Sequence, residues 1–365
     1  MANKLRIGII GTGGIAHSHM RAYLKLTDYV EIVAGADLVP GKAKAFFEEF
    51  GVQANAYEDH QEMIAKEKLD GVSVCTYNST HSVCTVNALN AGLHVLTEKP
   101  MSVNLQDAVD MVAASKKANK ILTVGFQPRY DPNMKMIKEI VSSGILGKVY
   151  YVSTGGGRRR GMPGGTFINK EKAGVGCLAD IGCYSLDMVL NALGYPNPLT
   201  VSAYASNYFG TNPKYHPDAK NFQVDDFSAA FIRLEGDLVI DFKMSWAMHM
   251  DTMGATCFLG TDAGLKVNSH NPKSGWGGAW DGTCGDLFLY QDVGKELTET
   301  PIPPKVNPEG FNMFDCKIKD FCDAIIENKP APIPGEQILR NQAIIDGIIR
   351  SVAAGKEVEV NIPQV

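Results

Sequence analysis

The chain has 365 residues, 45% hydrophobic and 21% charged, with a formal net charge of -5. At about 100–200 residues per domain, that length predicts two domains, and it can bury a substantial core without disulfide or metal staples. The near-neutral balance excludes a nucleic-acid footprint and a polybasic membrane patch, since the run Arg158-Arg159-Arg160 is too short to supply either. From Leu5 to about Phe126 short Ile/Val-rich runs alternate with helix-length stretches. The runs are Leu5–Ile10, Glu31–Ala36, Gly71–Thr76, His94–Thr97 and Ile121–Phe126; the stretches are Ile15–Leu26, Lys42–Phe50, Ser79–Ala91 and Leu105–Ala118. Continuous apolar strands between helices predict a doubly wound α/β domain, its parallel sheet covered on both faces.

The rhythm changes near Gly125, so the domains are predicted to be 1–126 and 127–365. A helix over Asn133–Ser142 leads to a strand over Lys148–Thr154 and then to a Gly/Arg-rich segment without periodicity. Cys177–Leu193 reads as a helix stopped by Gly194 and Pro196. Strands follow at Thr200–Tyr204, Asp226–Leu234, Leu238–Met244 and Ala255–Gly260, with turn signals such as Glu235-Gly236-Asp237 that predict an antiparallel sheet. Helices at about Met313–Glu327 and Glu336–Ala354 close this α+β half. The eight cysteines form no C-x-x-C pair and several lie in apolar runs, which predicts a reduced, cytoplasmic protein; no metal site is expected. The apolar run before Gly11 is too short for a signal-peptide core, and no run of about 18 apolar residues predicts a membrane span.

Three motifs carry chemistry. Gly11, Gly13 and Ala16 fit the G-x-G-x-x-G/A fingerprint between the first strand and the first helix. There Gly11 permits a tight turn, Gly13 admits a pyrophosphate, and the helix opening at Gly14 and Ile15 offers free N–H groups. Asp37 ends the next strand, a little beyond the usual spacing of about 20 residues for the acid that holds the adenosine ribose. A carboxylate there repels a 2′-phosphate and no arginine follows it at once, so NAD is favoured over NADP; otherwise Asp37 merely begins a turn. The second motif, Glu98-Lys99-Pro100, ends an apolar strand, where ligands of open α/β sheets bind. Its Lys99 is either a surface partner of Glu98 or an ammonium that orients a substrate hydroxyl. The third, Asp180 to Asp187, opens the predicted helix with Asp180 and Tyr184 four residues apart on one face. Either Asp180 caps the helix and Tyr184 packs, or the pair serves proton transfer.

Together these motifs resemble the glucose–fructose oxidoreductase/inositol dehydrogenase (Gfo/Idh/MocA) family. Smaller echoes include Thr76-Tyr77-Asn78 with His81, Gly125-Phe126-Gln127 and the C-terminal Asn328-Lys329-Pro330. The resemblance implies a Rossmann domain joined to an open-faced, mainly antiparallel sheet domain through which homo-oligomers form. It also implies that Thr76, Tyr77, Asn78, His81, Glu98, Lys99 and Gln127 approach the cofactor, and that Lys99, Asp180 and Tyr184 are catalytic. One departure is informative: most members carry His where Tyr184 stands, and Tyr resembles the sugar and dihydrodiol dehydrogenase branches. Lowering a phenol pKa from about 10 to about 7 takes about 4 kcal/mol. One ammonium about 4 Å away supplies roughly that at an effective dielectric near 20. Lys99 then tunes Tyr184, and Asp180 orients substrate or Lys99.

The segment from Arg158 to Glu171 resembles members that oxidise a ring hydroxyl of a glycoside, often at C3. Arg158, Phe167, Asn169 and Lys170 are candidates for holding the sugar, Trp276 and Trp280 for stacking on it, and His249 is either structural or substrate-facing. The expected function is NAD-dependent oxidation of a sugar or glycoside hydroxyl. Two alternatives stand beside it: an NAD-dependent glycosidase working by transient C3 oxidation and elimination, and a non-catalytic NAD-sensing protein.

Overall fold

A computed structural model describes residues 4–250, 253–269 and 284–365. The chain runs β1 (Leu5–Ile10), α1 (Gly14–Tyr23), β2 (Val30–Ala36), α2 (Lys42–Phe50), β3 (Asn55–Tyr57), α3 (His60–Lys66), β4 (Gly71–Val74), α4 (His81–Asn90), β5 (His94–Thr97), α5 (Leu105–Ala118) and β6 (Leu122–Val124). It continues with α6 (Pro132–Ser142), β7 (Val149–Gly157), α7 (Lys170–Ala173), α8 (Cys183–Ala192), β8 (Pro198–Ser206), β9 (Phe227–Leu234), β10 (Leu238–Ser245), β11 (Thr256–Gly260) and β12 (Ala263–Ser269). The last elements are β13 (Cys284–Val293), β14 (Glu296–Ile302), α9 (Met313–Ile326), α10 (Gly335–Ala354) and β15 (Val358–Glu359).

These elements make two compact units. One takes the chain through Gln127 together with Glu309–Leu339 and Pro363–Val365; the other takes Pro128–Pro308 and Arg340–Ile362. The single cut expected after residue 126 therefore misses a return of the chain. The reason is packing: Ile318, Phe321 and Cys322 of α9 are fully buried in one cluster with Leu5, Ile7 and Ile9 of β1 and Phe46 and Phe47 of α2. Periodicity shows that α9 has an apolar face, but not which sheet covers it.

In the first unit all strands pair in parallel, in the order β3-β2-β1-β4-β5-β6. This is the doubly wound Rossmann order, whose direction of winding reverses between β1 and β4. β1, β4 and β5 are buried almost throughout because helices cover both faces, which is why they read as unbroken apolar runs. The short β3 and α3 carried too little periodicity to be expected from the sequence.

The second unit contains a nine-stranded sheet in the order β14-β13-β12-β11-β7-β10-β9-β8-β15. Its pairs are antiparallel except that β7 lies parallel to β10. Along β10, Leu238, Ile240, Phe242 and Met244 are buried while Val239, Asp241 and Lys243 are half-exposed, the period-2 signature of a sheet with one covered face. The buried side meets α8, where Leu186, Val189 and Leu190 are inaccessible. Just before α8, Leu178–Gly182 forms a π-turn rather than the first turn of a continuous α-helix. The helical run Lys170–Ala192 is long and apolar enough to cross a bilayer, yet 83% of its most apolar window is buried inside the fold; it is the only such run among the described residues.

Candidate active site

The glycine loop owes its shape to the switch point between β1 and β4. Gly11 has φ +84, and a Cβ there would lie 2.8 Å from the backbone of Cys75, just past β4. Both the left-handed backbone and the close approach demand glycine. Gly13 and Gly14 are different: a Cβ on either meets nothing within 4 Å, so they face open space. Gly13 is the extended N-cap of α1 and contributes no side-chain cap, and Ile15 follows in the first turn, half-buried. An open glycine cradle at an uncapped helix start fits a dinucleotide pyrophosphate.

Asp37, just past β2, is tied to this loop. Its Oδ2 accepts from the Thr12 amide and the Thr12 hydroxyl, both at 2.9 Å, and lies 2.9 Å from Lys42 Nζ. Its Oδ1 accepts from the Val39 amide at 3.1 Å. Burial alone would raise this carboxyl, but the Thr12 amide and the Lys42 ammonium outweigh it and hold it below the ordinary carboxylate range.

At the end of β5, Glu98 is 4% exposed and lies in a polar network inside the unit. Its Oε1 faces His19 Nε2 at 2.8 Å and pairs with Lys317 Nζ from α9; the Lys99 amide donates to Oε2 at 3.3 Å. His19 Nδ1 meets Ser73 Oγ at 3.1 Å, and Tyr23 OH lies 2.7 Å from that same hydroxyl. Burial opposes ionisation of Glu98, yet the charge of Lys317 and the His19 hydrogen bond hold it well below the usual carboxylate range. Burial and then Lys317 lower His19 to about 4, so its imidazole is neutral at pH 7. A Cβ on Gly125 would stand 2.7 Å from Glu98 Oε1, so glycine there leaves room for the carboxylate.

Lys99 is half-buried, and its bond to Pro100 is cis. His81, 1% exposed, places Nδ1 2.8 Å from the Pro100 carbonyl and Nε2 3.3 Å from that of Thr76. Burial lowers its pKa, and a neutral ring has one N–H, which the shorter contact assigns to Pro100. His81 thereby links the segment after β4 to the one after β5. Thr76, Asn78 and Gln127 are half-buried and Tyr77 is 42% exposed. All the residues expected at the cofactor thus belong to the first unit.

In the second unit Asp180 lies in the π-turn Leu178–Gly182, whose bonds run i to i+5, and Tyr184 follows it in α8. Asp180 is positioned by the indole of Trp246, whose Nε1 donates to its Oδ2 at 3.0 Å. Trp246 is fully buried beyond the end of β10 and bonds its own amide to the Asp226 carbonyl at 2.8 Å. Tyr184, in the first turn of α8, is 7% exposed. The turn is pinned from its start: Asp225 Oδ1 accepts from the Gly176 amide at 2.6 Å and Oδ2 from the Leu178 amide at 3.1 Å. A Cβ on Gly182 would meet Phe242 at 2.9 Å, which seats the turn directly on the sheet.

Asp187, last residue of the third motif, serves structure. It takes two bonds from Arg129, at 2.8 and 2.7 Å, and a third from the Tyr195 hydroxyl, all deep in the unit. Asn169 caps α7, its side chain accepting from the Lys172 amide at 3.0 Å, and Lys170 opens the same short helix. Arg158 donates to the Gly161 carbonyl at 2.9 Å, and Phe167 is 44% exposed. His249 is exposed, 3.1 Å from Arg160, with its ring tilted against that of Phe209 at a centroid distance of 5.1 Å. Trp276 and Trp280 lie outside the described residues. Among the described residues, no group of three metal-ligating side chains converges. Sequence reasoning missed Lys317, Trp246, Asp225 and Arg129. Each is remote in sequence from the motif it supports; only the acidic pair Asp225-Asp226 before a strand offered any signal.

Comparison with known proteins bears on both halves. The profile described as "Oxidoreductase family, NAD-binding Rossmann fold" matches residues 5–126, and the "GFO/IDH/MocA C-terminal domain" matches 134–266. The chain is 32% identical to D-glucoside 3-dehydrogenase of Escherichia coli (strain K12) over 273 residues, 73% of this chain and 78% of that one. It is 30% identical to glucose-6-phosphate 3-dehydrogenase of Bacillus subtilis (strain 168) over 315 residues, 85% and 83% of the two chains. A solved levoglucosan dehydrogenase in complex with NADH superposes with a TM-score of 0.81 at 20% identity, covering 100% of both chains, and so shares the fold. With both halves matched and the Rossmann cradle intact, the chain belongs to the Gfo/Idh/MocA oxidoreductases and is an NAD(P)-dependent dehydrogenase of sugars.

Proposed function

We propose that the protein oxidises a secondary ring hydroxyl of a glucoside or related sugar, at C3, to a ketone, using NAD. The observation that carries this is a carboxylate, Asp180, fixed by the buried indole of Trp246 in the π-turn that leads into α8, whose first turn holds the buried Tyr184. The names of the Escherichia coli and Bacillus subtilis relatives, both 3-dehydrogenases, support C3 as the position. NAD is favoured because an acid, Asp37, stands just past β2, the position from which a carboxylate holds the adenosine ribose hydroxyls in such folds.

When bound, the nicotinamide supplies the hydride acceptor. The protein's part is to handle the proton and the charge left on oxygen. As the carbinol C–H bond gives up its hydride, the O–H proton passes to Tyr184 and the C–O bond becomes a carbonyl. In this reading Tyr184 takes the proton as a phenolate, Lys99 is assigned to the charge that develops on the substrate oxygen, and Asp180 accepts a hydrogen bond from a substrate hydroxyl. Fixed charges of this kind act at no reorganisation cost during the reaction. Arg158, Phe167 and Asn169 are proposed to border the sugar. Thr76, Tyr77, Asn78, Glu98 and Gln127 are proposed to line the cofactor, with His81 holding their segments in place.

We place the protein in the cytoplasm, supported by the buried thiols Cys75, Cys84, Cys177 and Cys322. We also propose a homo-oligomer through the open face of the nine-stranded sheet. Tyr204 of β8, Phe231 of β9 and Leu259 of β11 are 52%, 40% and 38% exposed there, and Leu259 pairs with the half-exposed Tyr151 of β7. Light scattering of the purified protein tests this, and a monomer at working concentration would refute it. The activity is tested by mixing the protein with a panel of glucosides and NAD or NADP. Steady growth of reduced-cofactor absorbance with a 3-keto product is expected. Aglycone release without reduced cofactor would establish the elimination route instead, and turnover at another carbon would overturn the C3 assignment.

A further inference from the structure

We propose that Lys42 sets how strictly this protein distinguishes NAD from NADP, by neutralising the carboxylate that would otherwise reject a 2′-phosphate. The proposal rests on the reading that the Gly11–Ile15 cradle and Asp37 hold the dinucleotide. An acid at this point of a Rossmann fold ordinarily does two things: it bonds the ribose hydroxyls and repels a phosphate at the 2′ position. In this chain Asp37 also carries partners of its own. Its Oδ2 takes both donors of Thr12, so the carboxylate acts as a latch on the glycine loop, and the same oxygen carries Lys42 Nζ at 2.9 Å. The Asp37 side chain is 9% exposed and that of Lys42 is 40% exposed. The anion is therefore sunk against the loop while the cation stands over it toward solvent.

The local chain makes this placement specific. Between Asp37 and Lys42 lie Leu38, Val39, Pro40 and Gly41, with no charge among them. Gly41 takes φ +74 and turns the chain into α2, so that Lys42, the first helical residue, reaches back onto Asp37. An approaching 2′-phosphate would therefore meet an ion pair of no net charge, with its positive member on the outside. A lysine ammonium on a flexible stem can leave a carboxylate for a phosphate without moving the backbone. Removing the cation restores the bare carboxylate and with it the repulsion. A unit charge about 5 Å from a phosphate bearing about two charges, in a water-like dielectric, is worth about a tenfold change in affinity.

The test is equilibrium binding of NADH and NADPH, read by nicotinamide fluorescence or calorimetry, in the wild type, Lys42→Met and Lys42→Arg. Lys42→Met is expected to weaken NADPH about tenfold and to leave NADH within about twofold, while Lys42→Arg keeps the wild-type ratio. Thermal melting of each variant confirms that this surface substitution leaves the fold intact. NADH binding with an unchanged NADPH ratio in Lys42→Met would overturn the role of Lys42 and leave the cofactor assignment standing. Equal weakening of both cofactors would overturn it as well. A wild type that binds neither would refute the cofactor reading itself, and the proposal with it.

Discussion

Replacing Lys317 by methionine should destabilise this protein far more than its place outside the three motifs suggests. The side chain of Lys317 is 1% exposed and that of Glu98 is 5% exposed, so the ion pair between them is fully desolvated. Methionine matches the lysine stem and keeps its packing over the Phe314 ring, which lies 4.9 Å beneath Nζ. The loss is therefore one of charge, with Glu98 left without its cation among His19, Gly125 and the interior of the sheet. Breaking a buried pair by removing one partner costs about 3–5 kcal/mol. For a unit of this size that corresponds to a fall in melting temperature of roughly 10 °C.

The pH dependence identifies the cause. In the wild type Glu98 titrates below its unfolded value. Its contribution is complete above the unfolded carboxylate pKa of about 4.3 and is lost only as pH falls through the lower folded value. In Lys317→Met burial dominates and the folded pKa rises, so the neutral form is favoured. The variant is then closest to wild type at acid pH and loses ground as pH rises through the new value. His19 adds to this, because without Lys317 beside it the imidazole is free to take a proton next to Glu98. Thermal unfolding at about pH 5 and about pH 8 should show the larger deficit at the higher pH. Glu98→Gln combined with Lys317→Met should recover most of the loss. Equal melting of Lys317→Met and wild type at both pH values, or a double variant as unstable as the single one, would refute the argument.

Gly11→Ala should abolish measurable NADH binding, because its Cβ meets the Cys75 backbone at 2.8 Å and its φ of +84 costs about 1–3 kcal/mol for any other residue. Fluorescence titration checks this, and Gly13→Ala, which has open space, is expected to preserve the fold while obstructing the phosphates. Tyr184→Phe should lower kcat about 10²–10⁴-fold with an unchanged melting temperature, as expected for loss of a proton acceptor; near-normal turnover across pH would remove it from that role. Trp246→Phe deletes the indole donor to Asp180 and should lower kcat/KM about tenfold, in keeping with about 1–3 kcal/mol for a lost buried partner. The same substitution in an Asp180→Asn background should then have a much smaller effect on turnover, and equal effects in both backgrounds would show that Trp246 acts by packing alone.

The Rossmann half was legible in the sequence because its signals are local. A strand covered on both faces must be apolar throughout, and a loop that turns sharply against its neighbour must carry glycine, so Leu5–Ile10 and Gly11–Ala16 announce themselves within a dozen residues. The three site motifs were legible for the same reason, each being a short run at the end of a strand or the start of a helix. Their supports were not. Glu98 depends on a lysine from α9, Asp180 on an indole beyond β10 and a π-turn, Asp187 on Arg129, and Asp37 on a threonine of the glycine loop. Such charges and dipoles meet only when distant segments pack, and no periodicity records the meeting. Local sequence thus nominated the groups proposed to bring chemistry to this protein. The folded chain decided which of them are held ionised, capped or buried, since that depends on partners contributed from elsewhere in the chain.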